Sequence, residues 1–376
     1  MSLSWRKVAA GVVGLGLMIG SVTACSSTRD AGTDASASGT AAAGDTLIGI
    51  AMPTKSLERW NRDGAHLEEL LKADGFQTSL QYADNKVDQQ ISQLQNMINQ
   101  GAKVLVIASI DGTALGPVLD TAAAAGIKVI AYDRLINGTK NVDYYATFDN
   151  YGVGKLQGQY IETALGLADG EGPFNLEPFA GSPDDNNAKF FFAGAWDVLL
   201  PYVQNGQLVV PSGKSPASDA DWASIGIQGW SSDTAQSEMQ NRLNSFYTDK
   251  KVDVVLSPND SLALGIAQAL QGAGYNPGDT YPVLTGQDAD KANVLNMIAG
   301  KQSMSVWKDT RQLGDQVDTM INEIVAGSEV TVNDTTSYNN GVKDVPTYLL
   351  DPQVVTKDTV NILTDSGFYT KADLGL

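Results

Sequence analysis

Beyond residue 45 the chain alternates short, nearly unbroken apolar runs with longer stretches in which apolar positions recur every three or four residues. The first pattern predicts buried strands and the second amphipathic helices, with glycine at many of the changeovers. Strands are expected over residues 46–52, 77–82, 104–108, 129–133 and 144–148. The helices between them run from the Leu57-Glu58-Arg59-Trp60 stretch to Asp74, over 87–100 and over 113–125, stopped in turn by Gly75, Gly101 and Gly126. The second half repeats the rhythm, with strands at 174–179, 208–210, 252–256, 282–285 and 303–306. Its helices are expected at 153–167, after Asn187 through Phe190, Phe191 and Phe192, and at 232–247, 261–273, 292–299 and 310–326. From 335 to 376 the period fades, and this tail is expected to wrap back across the molecule. Repeated β-α units of this kind predict an α/β fold of doubly wound parallel sheets.

The strand Val129-Ile130-Ala131-Tyr132 runs straight into Asp133-Arg134. In open α/β sheets ligands sit at the carboxyl ends of strands. An acceptor beside a guanidinium donor suits groups that both donate and accept, which is the character of a sugar hydroxyl. An ordinary ion pair is the plainer alternative. The echo elsewhere shifts the balance: segments 103–111 and 253–260 both finish in an acid, and 283–288 mirrors 129–133. Two similar lobes whose strand ends face one cleft would bring Asp111, Asp133, Arg134, Asn259 and Asp288 together. Any one of these acids could be a helix N-cap, but capping does not explain every strand ending this way. The run Asp184-Asp185-Asn186-Asn187 after strand 174–179 is likewise a cap cluster or a ligand rim, and Trp60, near a helix start, either packs in the core or stacks on a ligand.

Arg6-Lys7, an apolar run over 8–22 and Val22-Thr23-Ala24-Cys25 have the layout of an export signal ending in a lipobox-like motif. The apolar run is shorter than the ~20 residues a membrane span needs. Residues 1–24 are therefore expected to be a lipoprotein signal peptide, Cys25 the lipidated residue, and 25–45, which has no large apolar side chain before Leu47, a flexible tether.

A net charge of −18 offers no basic surface to neutralise phosphates and argues against nucleic acid. A single cysteine excludes an intrachain disulfide, and the single histidine, His66, falls in a predicted helix as a surface or packing residue. The glycines of Gly152-Val153-Gly154-Lys155-Leu156-Gln157-Gly158 have the wrong spacing for a dinucleotide fingerprint. Asp288-Ala289-Asp290 lacks the glycine and closing glutamate of a calcium loop, so no metal or other cofactor is expected. Paired carboxylates such as Asp184 and Asp185 could hydrolyse a glycoside, but adjacent acids in one loop do not naturally flank a substrate.

Taken in succession, Leu57-Glu58-Arg59-Trp60, Ala131-Tyr132-Asp133-Arg134, Gly181-Ser182-Pro183-Asp184-Asp185-Asn186-Asn187-Ala188, Gly286-Gln287-Asp288-Ala289 and Asn339-Asn340-Gly341-Val342-Lys343-Asp344-Val345-Pro346 carry a resemblance. The chain resembles the class I periplasmic monosaccharide-binding proteins, in their xylose-binding and multiple-sugar-binding (ChvE-like) branch. Met52-Pro53-Thr54-Lys55-Ser56 and 144–150 lean toward the multiple-sugar members. The resemblance implies two lobes joined by three crossovers, near Asp149-Asn150, near 306–308 and after Ala326. The first lobe would hold 46–149 and 307–327, and the second 150–306 and 328–376. It implies that Arg59, Asp133, Arg134, Asp185, Asn187, Asn259, Asp288 and Lys308 hydrogen-bond a sugar while Trp60, Trp230 and Phe190 cover its apolar faces. Lys55, Asp111 and Asp260 are further candidates. Asn259 follows Pro258 as in xylose-type members, where ChvE-like ones tend to carry tyrosine, and 217–230 diverges from both, so the preferred sugar stays open. The implied partners are a neutral monosaccharide and the permease and ATPase of an ABC importer, met by a monomer lipid-anchored on the outer face of the cell membrane. A membrane receptor that senses the closed form is the alternative partner.

Overall fold

The computed structural model describes residues 43–278 and 280–376. The signal segment, Cys25 and the tether through residue 42 lie outside the described residues; Ala43–Asp45 form a short 3-10 turn. The first half contains β1 (Leu47–Met52), α1 (Glu58–Ala73), β2 (Gln77–Tyr82), α2 (Val87–Asn99), β3 (Val104–Ile107), α3 (Gly116–Ala124), β4 (Lys128–Tyr132) and β5 (Tyr144–Phe148). It is followed by α4 (Asn150–Leu165), β6 (Phe174–Pro178), α5 (Asn186–Gln204), β7 (Leu208–Val209), α6 (Ser232–Phe246), β8 (Val254–Leu256), α7 (Asp260–Gly272), β9 (Val283–Leu284) and α8 (Lys291–Ile298). The chain ends with β10 (Met304–Trp307), α9 (Thr310–Ala326), β11 (Thr347–Leu350), β12 (Gln353–Thr356), α10 (Asn361–Asp365) and α11 (Lys371–Leu374).

Two sheets result. The first is parallel throughout, in the order β11-β5-β4-β3-β1-β2, with Ile50 opposite Val106 and Val106 opposite Ile130. Its inner strands are buried on both faces, which is why they read as unbroken apolar runs. The second is a parallel sheet, β7-β6-β8-β9, and the antiparallel pair β10-β12 adjoins it through a parallel bridge from Gln287 to Val306. Helix α9 returns to the first lobe, where Leu313, Val317, Met320 and Ile321 share a core with Trp60, Leu67 and Leu71.

The lobe boundaries expected for the C-terminal part need correcting. Strand β11 pairs with β5 in the first sheet, with Tyr348 opposite Ala146, so the segment that begins at 328 stays in the first lobe through Leu350. The third crossover is Asp351-Pro352, between β11 and β12, and not the point after Ala326. The physical reason is that β5 would otherwise be an open edge beside buried Tyr145 and Phe148, and β11 covers it.

Candidate ligand-binding site

Helix α1 opens with Arg59 and Trp60 in its first turn, both buried. Arg59 Nη2 donates to Asp63 Oδ2 at 2.8 Å, one helical turn on, and to Asp133 Oδ2 at 2.9 Å; Nη1 reaches Asp288 Oδ1 of the other lobe at 3.4 Å. Asp133 leaves β4 in the left-handed region, with φ 59°. Its carbonyl accepts from the Tyr145 hydroxyl (2.7 Å), Thr147 Oγ1 (2.9 Å) and Asn187 Nδ2 (2.7 Å), the last from the second lobe. Arg134 Nη1 donates to the Ser109 carbonyl at 3.1 Å, and its Nε lies 2.9 Å from Asp185 Oδ2, close but poorly aligned for a hydrogen bond. Both guanidinium groups lie over the Trp60 ring, at 4.4 and 5.1 Å from its centroid.

The second lobe answers from three strand ends. Asp185 caps α5 by accepting from the Asn187 backbone N–H, and it also accepts from Trp230 Nε1 at 3.1 Å. Asn259 caps α7 through Leu262 N–H at 3.0 Å. Asp288 (φ 96°) and Ala289 (φ 51°) form a left-handed turn that presents the Asp288 carboxylate to Lys308 Nζ at 3.0 Å. Trp230 is also left-handed, with φ 55°, and its ring passes so close over Gly181 that no side chain could stand there. Strain at Asp133, Trp230 and Asp288, each worth about 1–3 kcal/mol, is tolerated because the surrounding bonds over-determine these positions.

These groups line one small cavity between the lobes, with about 30 Å³ open to the centres of water-sized molecules. Its lining carries three cations (Arg59, Arg134, Lys308) and four carboxylates (Asp133, Asp185, Asp288, Asp290). Burial would raise the Asp133 carboxyl, but Arg59, Lys308 and Arg134 together outweigh it and hold it below its usual value. For Asp185 the balance falls the other way: burial dominates over Arg134, and its pKa is raised. Asp290 is pushed up to about 7, chiefly by burial and then by Asp288. Of the residues that line this cavity, Gln287 Oε1 and the Nε groups of Arg59 and Arg134, with Trp60 Nε1, are buried without a hydrogen-bond partner, one acceptor and three donors.

The structure gathers Arg59, Trp60, Asp133, Arg134, Asp185, Asn187, Trp230, Asn259, Asp288 and Lys308 around this one cavity. Phe190 does not belong there. Its ring packs edge-on against Tyr338 of the first lobe, with centroids 5.6 Å apart, and Phe191 lines the cavity instead. The signal was present in the sequence, since Phe191 stands one helical turn from Asn187 and so shares its face. Asp63, at the same spacing from Arg59, was legible in that way too. Lys55 is exposed, with its ammonium over the Tyr82 ring. Asp111 caps its own turn through Thr113, at 2.7 Å. Asp260 is fully buried behind the wall, where Gln302, Ser305 and the Asp290 N–H all donate to it. Asp184 turns away from its neighbour, toward Ser182 and Gln228, so Asp184 and Asp185 do not flank a common substrate. Leu57, Ser261, Gln287 and Asp290 also line the cavity, and sequence reasoning did not single them out.

Two α/β lobes that bury one polar cavity between their strand ends define a solute receptor that closes over its ligand. The chain belongs to the periplasmic binding protein family, whose domain matches residues 48–329. It is 50% identical over 333 residues to the multiple sugar-binding periplasmic receptor ChvE of Rhizobium radiobacter, covering 88% of this chain and 93% of the relative. It is 36% identical over 331 residues to the D-xylose-binding periplasmic protein of Escherichia coli, covering 88% and 93%. Among solved structures, an ABC transporter solute-binding protein from Clostridium phytofermentans with bound β-D-glucose superposes with a TM-score of 0.83 at 52% identity, covering 88% of this chain and 100% of that one. The chain is accordingly an extracytoplasmic binding receptor and not an enzyme.

Proposed function

We propose that the chain captures a neutral monosaccharide of the xylose, glucose, galactose or arabinose type by lobe closure and delivers it to the permease and ATPase of an ABC importer. The observation that carries this reading is charge pairing inside the cavity. Arg59 is paired with Asp63 and Asp133, Arg134 with Asp185, and Lys308 with Asp288, so no cation is left to neutralise an anionic ligand. Charged groups that are already paired still offer strong hydrogen bonds to hydroxyls, and the rings of Trp60, Trp230 and Phe191 supply apolar faces for C–H groups. The relatives named for multiple sugars and xylose, and the solved structure with glucose, support the same class. A ligand of about twelve heavy atoms at intermediate efficiency implies roughly micromolar affinity or tighter. We further infer that the protein works as a monomer anchored through lipid on Cys25 at the outer face of the cell membrane. The relative that carries the word receptor in its name favours a second use, in which the same closed form engages a membrane sensor.

A thermal-shift screen of neutral monosaccharides followed by calorimetry tests the ligand class. Xylose, glucose, galactose or arabinose should stabilise the protein, glucuronate and sugar phosphates should not, and Asp288→Ala and Arg134→Ala should each abolish binding while melting stays cooperative. Tight binding of a sugar phosphate with none of a neutral sugar would falsify the reading.

A further inference from the structure

The tail beyond β12 reaches the cavity wall from behind. Phe368 and Tyr369, between α10 and α11, belong to an apolar cluster with Ala289, Trp307 and Leu363, yet both also meet α1 of the first lobe. The Tyr369 hydroxyl donates to the Ala289 carbonyl at 2.9 Å and accepts from Arg62 Nη1. Arg62 in turn holds Glu58 Oε1 at 2.9 Å and Asp290 Oδ1 at 3.2 Å, and its guanidinium lies 4.8 Å over Phe368. The main chain of the left-handed Asp288-Ala289 turn thus has four supports: the Val306 carbonyl on the Asp288 N–H, Ser305 Oγ on the Ala289 N–H, Asp260 on the Asp290 N–H, and Tyr369 on the Ala289 carbonyl. Of these four, Tyr369 is the one bonded to α1, the helix that also carries Arg59 and Trp60. Neither Arg62 nor Tyr369 lines the cavity.

We propose that Tyr369 and Arg62 are positioning residues for ligand capture: they fasten the turn that carries Asp288 to helix α1 in the closed form and so set how long a captured ligand is held. The role rests on the reading that closure captures a neutral monosaccharide. Because the pair touches the turn and not the ligand, its loss acts on the closed state as a whole. Every sugar then feels it equally. Tyr369→Phe keeps the ring in its apolar cluster and removes one hydroxyl hydrogen-bonded to a charged partner.

Stopped-flow release from the full chain tests this. Tyr369→Phe should speed release of xylose, glucose and arabinose by a common factor of about ten to a hundred, the range one such hydrogen bond implies. Association rate and ligand-free melting temperature should stay unchanged. Arg62→Met should do the same, and the double variant should add little to it, since coupled partners are not additive. Unchanged release, factors that differ among sugars, or full additivity would each overturn the role. Should the wild type bind none of these sugars, the ligand class fails and the latch is judged separately. Spin labels at Lys86→Cys and Ala223→Cys, one on each lobe, should then show a wider inter-lobe distance in Tyr369→Phe than in the otherwise unsubstituted chain, and an identical distribution rejects it.

Discussion

Asp133 joins three constraints in one residue: a left-handed backbone, a carbonyl that accepts three hydrogen bonds, and a carboxylate facing Arg59. Aspartate and asparagine tolerate left-handed geometry because their short polar side chains bond locally. Asp133→Asn therefore keeps the turn and removes only the charge. A hydrogen bond between charged groups is worth about 1.5–3 kcal/mol, so sugar affinity should fall by roughly ten- to a hundredfold in calorimetry. The pH dependence has a definite sign. Burial raises this carboxyl and the three cations more than reverse it, so its folded pKa lies below the unfolded value. Its stabilising effect is then complete above about pH 4 and disappears as acid drives the pH through the depressed pKa. Denaturant unfolding of wild type and variant should differ by a constant amount from pH 5 to 8 and converge in stronger acid; a gap that widened in acid would show the carboxylate to be unpaired. Asp133 was legible because a buried strand that ends in Asp-Arg has few structural uses. Phe190 and Phe191 were harder to separate: three consecutive phenylalanines point around the helix ~100° apart, and choosing among them needs the face that Asn187 fixes.

Among the elements, α4 and α5 pack through glycine. A Cβ at Gly154 would overlap the Phe191 carbonyl, and one at Gly194 would overlap the Tyr151 carbonyl. Gly154 and Gly158, from the glycine-rich stretch unfit for a nucleotide, thus lie on one face of a close helix crossing. That crossing sets the height of Phe191 at the cavity wall. Gly194→Ala should force the helices apart at a cost of about 1–3 kcal/mol, the usual range for overpacking, and lower the melting temperature by several degrees. Sugar affinity should drop with it, and an unchanged melting curve would mean the helices yield without strain. Most strands and helices were readable from their periods because they are buried on one face or both. Strands β11 and β12 were not. They are four residues each, half-buried at sheet edges, and so lack the contrast that marks a strand. The sequence pattern therefore puts the third crossover after Ala326, on the wrong side of β11.

For the whole molecule, closure should also take up a proton. In the closed form burial, Asp288 and Glu58 raise Asp290, while Arg62 and Arg59 lower it by less, and its pKa is pushed up to about 7. Asp260 adds a buried carboxyl whose Oδ2 accepts the Asp290 N–H. Glu58, Arg62 and Arg59 all sit on α1, in the lobe opposite Asp290. Opening would withdraw that helix and let water reach Asp290, returning it toward the ordinary carboxylate value near ~3.9. Between those two values the closed form binds a proton that the open form does not, so closing takes up a proton and sugar affinity should rise as pH falls from about 7 toward about 4. The limiting slope is about tenfold per pH unit for one proton. Calorimetry of sugar binding at pH 6 in buffers of different ionisation enthalpy should detect the uptake directly, and Asp290→Asn should abolish most of it while binding persists. Proton release on binding, or uptake undiminished in Asp290→Asn, would mean that the two lobes do not meet over this carboxylate when the ligand is captured.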